Sequence, residues 1–188
     1  MKILLGSNSP RRNELLAQMD IPFTKVKIEC EEDFDEAMPA EEVPEYLSQK
    51  KSMAYTDLLA GELLITADTV VVNGTRILNK PKDANEATTM LNSLSGSEHK
   101  VITGVTLRTL EKTVSFSSTT RVKINELSDN DIEHYISKYK PYDKAGAYGI
   151  QEWFGLSQVE RIEGCFYNVV GLPCNLLFKR LKNDYNVV

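Results

Sequence analysis

Apolar positions along this chain follow two rhythms that alternate. Short unbroken apolar runs are bounded by turn residues, and between them lie segments with an apolar residue every three or four positions. That alternation of strand and helix predicts an α/β fold. Lys2 to Leu5 reads as a buried strand running into Gly6-Ser7-Asn8-Ser9-Pro10. Ser9 stands as N-cap and Pro10 as the first residue of a helix through NELLAQM. Phe23 to Ile28 reads as a second strand. After an acidic stretch from Glu29 to Glu42, a helix is predicted from about Val43 to Leu59, with Leu47, Ala54 and Leu58 on one side.

LLITADTVVVNGTRIL gives the clearest strand pattern, and Asn73-Gly74 within it is a two-residue hairpin turn. Asp83 and Glu86 begin a helix over ANEATTMLNSL in the manner of a capping box, and Gly96 stops it. Two strands follow, Lys100 to Leu110 and Thr113 to Ile124. Ser128 caps a helix over DNDIEHYISKY, the segment DKAGAYGIQ bends at its glycines, and Gly171-Leu172-Pro173 opens a final helix over NLLFKRLKN. There is no internal repeat and no low-complexity tract, so residues 1–188 read as a single domain.

Composition narrows the function classes. The chain has 188 residues and a net charge of −5, which argues against a broad basic face for duplex nucleic acid but leaves room for a local basic pocket. No run approaches the roughly 18 apolar residues of a membrane helix, and the N-terminus lacks the apolar core of about 7–15 residues found in a signal peptide. Cys30, Cys165 and Cys174 are odd in number and lack metal-ligand spacing, and His99 and His134 stand alone. A cytoplasmic protein with no membrane partner, disulfide framework or zinc site is expected.

Arg11 and Arg12 fall at the positive end of a helix dipole, where cations are unfavourable unless an anion answers them. Backbone N–H groups, the hydroxyls of Ser7 and Ser9 and two planar guanidinium forks would together seat a polyphosphate. Surface carboxylates could instead pair the two arginines. Asp68 lies inside the apolar run ITADTVVV, where a carboxylate needs a partner. It reads either as a metal ligand or water-activating base, or as an acid satisfied by backbone N–H groups. Lys80 is fixed beside Pro81, so it is either aimed by the chain or an ordinary surface lysine.

Taken together, SNSPRR, ITADTVV, NKPKDANEATTMLNSLSG, HKVITGV, DKAGAYGIQ and NVVGLP resemble, in order and spacing, the Maf family of nucleotide pyrophosphatases, over Ile3 to about Leu177. The resemblance implies a mixed, twisted sheet with flanking helices, two lobes around a cleft, and kinship with inosine-triphosphate pyrophosphatases. It also implies hydrolysis of a nucleoside triphosphate to the monophosphate and pyrophosphate with a divalent cation, Mg or Mn, by a homodimer. By position, Asp68, Lys80 and Lys51 match the family's catalytic residues. Ser7, Arg11, Arg12 and Thr69 match substrate-binding residues, Gln151 a specificity residue, and Glu32 with Asp68 the metal-binding acids. Whether Asp68 is the general base or a metal ligand stays open.

DKAGAYGIQ resembles the branch acting on dTTP and UTP more than the branch preferring 7-methyl-GTP. A regulator of septum formation that binds nucleotide with little turnover is the alternative from another class. The chain departs from the pattern after Gln151, where Glu152, Trp153 and Phe154 replace a glycine-rich turn. Trp153 is read as a packing anchor rather than a platform for a base.

Overall fold

The computed structural model describes residues 1–187. In chain order its elements are β1 (Lys2–Gly6), α1 (Pro10–Gln18), β2 (Phe23–Lys25), α2 (Val43–Ala54), β3 (Glu62–Asn73), β4 (Arg76–Leu78) and α3 (Ala84–Leu94). They continue with β5 (Glu98–Arg108), β6 (Thr113–Ile124), α4 (Asp129–Tyr139), α5 (Trp153–Ser157), β7 (Val159–Glu163), α6 (Phe166–Val170) and α7 (Cys174–Tyr185). The strands form a mixed sheet of order β2-β1-β3-β5-β6-β7, with β4 paired to β3. β1 runs parallel to β2 and β3, while β3–β4 and β6–β7 are antiparallel. The expected α/β architecture, a mixed sheet with flanking helices, is the one observed. No helix among the described residues is long and apolar enough to cross a membrane.

Two compact units divide the chain: Met1–Thr69, Thr103–Ser118 and Gly171–Val188 form the first, and Val70–Ile102 with Thr119–Val170 form the second. In the first unit, the β3 residues from Glu62 to Asp68 are all buried, as a strand covered on both faces must be. Leu4, Leu58 and Leu64 pack together there, with Val26, Ile28 and Tyr55 against them.

The expected strand Phe23–Ile28 contracts to Phe23–Lys25. Val26 N still donates to Leu5 O at 3.0 Å, but Val26 and Ile28 then turn their side chains into the core. The helix expected to reach Leu59 ends at Ala54. Arg108, from β5, donates Nη2 to Ser52 O and Tyr55 O, each at 2.5 Å, and Nε to Ser52 Oγ at 3.1 Å. These bonds occupy carbonyls that a further helical turn would need. Leu58 therefore reaches the core from a loop and Ala54 is exposed, so of the predicted apolar side only Leu47 lies on the buried face of α2. Ser9 stands at the N-cap of α1 without a side-chain capping bond.

In the second unit the local signals hold. Gly74 adopts φ +62°, and Asn73 pairs with Arg76 across the hairpin. Asp83 accepts from Glu86 N at 2.9 Å, and α3 turns Ala87, Met90, Leu91 and Leu94 inward at helical spacing. Ser128 and Asp131 form a reciprocal capping box at the start of α4. The short elements α5, β7 and α6 were not expected. Trp153, on α5, stacks on Tyr135 (centroids 6.3 Å apart, 24° between planes) and meets His134 edge-on at 4.9 Å, which is the packing role read from its sequence.

His99 is 2% exposed, with Nε2 2.7 Å from Tyr148 Oη and no hydrogen-bond partner at Nδ1 among the described residues. Burial pushes its pKa down from the ordinary histidine value of 6.5 to about 4. The folded state therefore refuses a proton that the unfolded state accepts, and stability present above the unfolded pKa is lost as pH falls toward 4. Between pH 7 and pH 5 this group should remove about 2 kcal/mol. Urea denaturation at both pH values measures it: His99→Gln should shrink the wild-type difference by that amount. Identical pH dependence in the two proteins would exclude His99 as the cause.

Candidate active site

In the first unit, the loop after β1 and the start of α1 bring Ser7 and Arg12 to the middle of strand β3, at Ala67–Thr69. Ser7 Oγ accepts from Ser9 N at 3.3 Å and from Arg12 Nη1 at 3.4 Å. Arg12 donates Nε to Gly171 O at 2.8 Å, Nη1 to Ala67 O at 2.9 Å and Nη2 to Thr69 Oγ1 at 2.9 Å. Thr69 Oγ1 is also 2.9 Å from Thr103 Oγ1. Gly171 has φ +130°, a conformation that favours glycine at the carbonyl Arg12 grips. The sequence offers the Arg12 fork either a phosphate or surface carboxylates; within the chain its partners include the Ala67 carbonyl and the Thr69 hydroxyl, on either side of Asp68. Burial lowers the Arg12 pKa and Arg11 adds to that, while the charges of Asp68 and Glu32 act in the opposite direction. Arg11 lies beside it in the first turn of α1, half-buried.

Asp68 itself is 8% exposed, and its partner is an ammonium rather than backbone N–H groups. Lys51 Nζ, from the last turn of α2, lies 2.5 Å from Asp68 Oδ1 and 2.7 Å from Glu32 Oε1. A lysine in the last turn of a helix is favoured by the helix dipole, and it supplies the partner a buried carboxylate requires. The acidic loop is thereby drawn to the strand through Glu32, whose side chain remains 54% exposed.

Two carboxylates that meet one cation are hard oxygen donors. They suit Mg or Mn, which takes one or two protein carboxylates and completes its shell with water and substrate phosphates. No group of three or more His, Cys, Asp or Glu that could hold a metal ion occurs among the described residues.

Lys80 and Gln151 belong to the second unit. Lys80 is exposed beside buried Pro81, and Asn79 O just before it accepts from Gly146 N at 3.2 Å. This bond joins NKPKD to DKAGAYGIQ. Gly146 takes φ +70° and Ala147 φ +61°, producing the bend read from the glycines. Gln151 is exposed in the turn that follows.

Around that turn lie residues the sequence reading did not single out for chemistry. Tyr135 Oη donates to Glu152 Oε2 at 2.5 Å and accepts from Gly149 N at 2.9 Å. Lys144 Nζ is 3.0 Å from Glu152 Oε1. Burial, then the hydrogen bond to Glu152, raises the Tyr135 pKa, so the phenol stays protonated as a donor. Nothing local in the sequence pairs Tyr135 with a residue 17 positions later.

Known proteins were compared with this chain. A family model described as "Maf-like protein" matches residues 2–184. A protein of Porphyromonas gingivalis named dTTP/UTP pyrophosphatase is 48% identical over 186 residues, covering 97% of this chain and 94% of its own. Proteins bearing the same name from Parabacteroides distasonis and Bacteroides thetaiotaomicron are 47% identical (97% and 95% covered) and 45% identical (96% and 95% covered). Among solved structures, a HAM1 protein from Coxiella burnetii aligns with 66% of this chain and 73% of its own, at 12% identity and a TM-score of 0.42.

Proposed function

The chain belongs to the Maf family, and from that premise we propose that it hydrolyses dTTP and UTP to the monophosphate and pyrophosphate. The observation that carries the chemistry is the buried Asp68 paired with Lys51, which also holds Glu32. A water attacks the α-phosphorus, the bond from that phosphorus to the bridging oxygen breaks, and pyrophosphate leaves. Asp68 takes the water's proton. Arg11, Lys51 and Lys80 supply positive charge for the triphosphate and for the charge that grows on the leaving group. Ser7 adds a hydroxyl, and Arg12 and Thr69 fix strand β3 on either side of the base. Asp68 and Glu32 would hold the divalent ion, which when bound neutralises phosphate charge and makes water more acidic. The protein acts in the cytoplasm as a homodimer, which light scattering on the intact chain checks.

Base choice rests on Gln151. Its amide places a donor beside an acceptor, which matches O4 and N3–H of uracil and thymine. Cytosine presents the opposite pattern, and the adenine edge fits geometrically but on a larger base. A purine can offer a matching edge but carries it on a larger base that displaces the amide contact, so dTTP and UTP should exceed ATP and GTP by at least about 10-fold in kcat/KM, equivalent to about 1.4 kcal/mol of transition-state preference.

A nucleotide panel assayed separately for pyrophosphate and orthophosphate, with Mg, Mn or chelator, tests the reading. Pyrophosphate release that chelator abolishes is the expected result. Orthophosphate release would place attack at the γ-phosphorus and overturn the mechanism. ATP or GTP matching UTP would overturn the pyrimidine assignment while leaving the pyrophosphatase standing.

A further inference from the structure

Gln151 sits in the turn Gly149–Glu152, and both ends of that turn are tied to one small cluster. Glu152 N donates to Gly149 O at 3.2 Å, closing the turn. Tyr135 Oη then bridges its two ends, accepting from Gly149 N and donating to Glu152 Oε2. Lys144 Nζ lies between Glu152 Oε1 at 3.0 Å and Asp143 Oδ1 at 2.7 Å. A Cβ on Gly149 would stand 2.8 Å from Glu152 Cδ and 2.9 Å from Lys144 Cε, so the turn is packed directly on the groups that clamp it.

The clamp is shielded, with the Lys144 side chain 11% and the Glu152 side chain 26% exposed, whereas Gln151 is exposed and takes no part in these bonds. Behind the clamp lies an aromatic wall: Tyr135 packs on Phe154 at 5.0 Å, and Phe154 on Tyr148 at 5.1 Å. The result is an exposed amide carried on a turn whose backbone is held from behind.

We propose that Glu152, acting with Tyr135 and Lys144, is a positioning residue for base selection: it holds the Gly149–Glu152 turn so that Gln151 presents its amide from a fixed backbone. The proposal rests on the reading of Gln151 as the base-contacting residue. The amide can turn about its own Cγ–Cδ bond whatever the backbone does, so the clamp acts on position: a fixed carrier sets the place at which the amide meets a base edge, which separates a pyrimidine from a larger purine. Glu152 is suited to the task because its two carboxylate oxygens engage two different partners, one from α4 and one from the Lys144 bend. Glutamine at this position keeps the size and one acceptor but loses the charge that holds Lys144.

The test compares kcat/KM for UTP and ATP in wild type, Glu152→Gln, Tyr135→Phe, Gln151→Ala and the Gln151→Ala/Glu152→Gln double variant. Glu152→Gln and Tyr135→Phe should each lower the UTP-to-ATP ratio at least about 5-fold, mainly through KM, and the double variant should lose no more selectivity than Gln151→Ala alone, since the two residues act as one unit. A ratio measured within one protein sample is insensitive to partial unfolding. If Glu152→Gln does not fold, Tyr135→Phe still removes one arm of the clamp.

Selectivity that collapses in Gln151→Ala but is untouched in Glu152→Gln and Tyr135→Phe would overturn the positioning role and leave the base contact intact. Selectivity untouched in Gln151→Ala would overturn the base contact, and the positioning role with it.

Discussion

Asp68→Asn should turn over dTTP about 100-fold more slowly than wild type, or slower still, as expected for loss of a general base. The substitution keeps the shape of the side chain and leaves an oxygen facing Lys51. It removes the charge and the basic lone pairs. Lys51 retains Glu32 at 2.7 Å, so the lysine is not stranded and the melting temperature should change little. KM should change less than kcat, because the carboxylate acts on water. Steady-state kinetics with pyrophosphate detection, on protein whose folding is checked by thermal melting, decides the matter. A variant with near-normal kcat would remove Asp68 from the chemistry.

Arg12 should show the other large effect, and its pattern separates two roles. Its guanidinium serves Gly171 O, Ala67 O and Thr69 Oγ1 together, a planar distribution that an ammonium cannot reproduce. Arg12→Lys should lower kcat about 10-fold and Arg12→Ala about 100-fold, because small displacements of catalytic groups are costly. Arg12→Ala should also lose about 3 kcal/mol of stability, since it removes the three bonds donated to Gly171 O, Ala67 O and Thr69 Oγ1, of which Thr69 Oγ1 alone keeps a close second partner in Thr103. Urea denaturation and kinetics on the same samples check this. A rise in KM with kcat and stability unchanged would instead assign the guanidinium to phosphate. Wild-type behaviour in both variants would make the arginine incidental.

Much of the fold could be read from short-range patterns. The hairpin at Asn73-Gly74, the caps at Asp83 and Ser128 and the strand Thr113–Ile124 each carry their own instructions within a few residues. The departures arise where distant residues decide. α2 stops where Arg108, from strand β5, takes the carbonyls of Ser52 and Tyr55. The elements α5, β7 and α6 are only five residues long, too short for a periodic pattern to emerge.

The candidate site divides in the same way. Asp68 was visible as an acid inside an apolar strand, and Arg11 and Arg12 as cations at the wrong end of a dipole. That Arg12 grips Gly171 O together with the Ala67 carbonyl and Thr69 hydroxyl beside Asp68, and that Glu152 answers both Tyr135 and Lys144, depends on contacts bridging up to 159 positions, which local patterning does not encode.

The contact between Arg12 and Gly171 should also order events during biosynthesis. The second unit draws its segments from Val70 to Val170, whereas the first also needs Gly171–Val188. A nascent chain can therefore carry Asp68, Lys51 and Glu32 long before it carries the carbonyl that Arg12 holds. Unit-by-unit folding then completes the second unit first, against the usual N-terminal-first sequence. The strand bearing Asp68 should be locked only once Gly171 has been made, so a ribosome stalled before Gly171 should display a chain with its acids and lysine present but no nucleotide turnover.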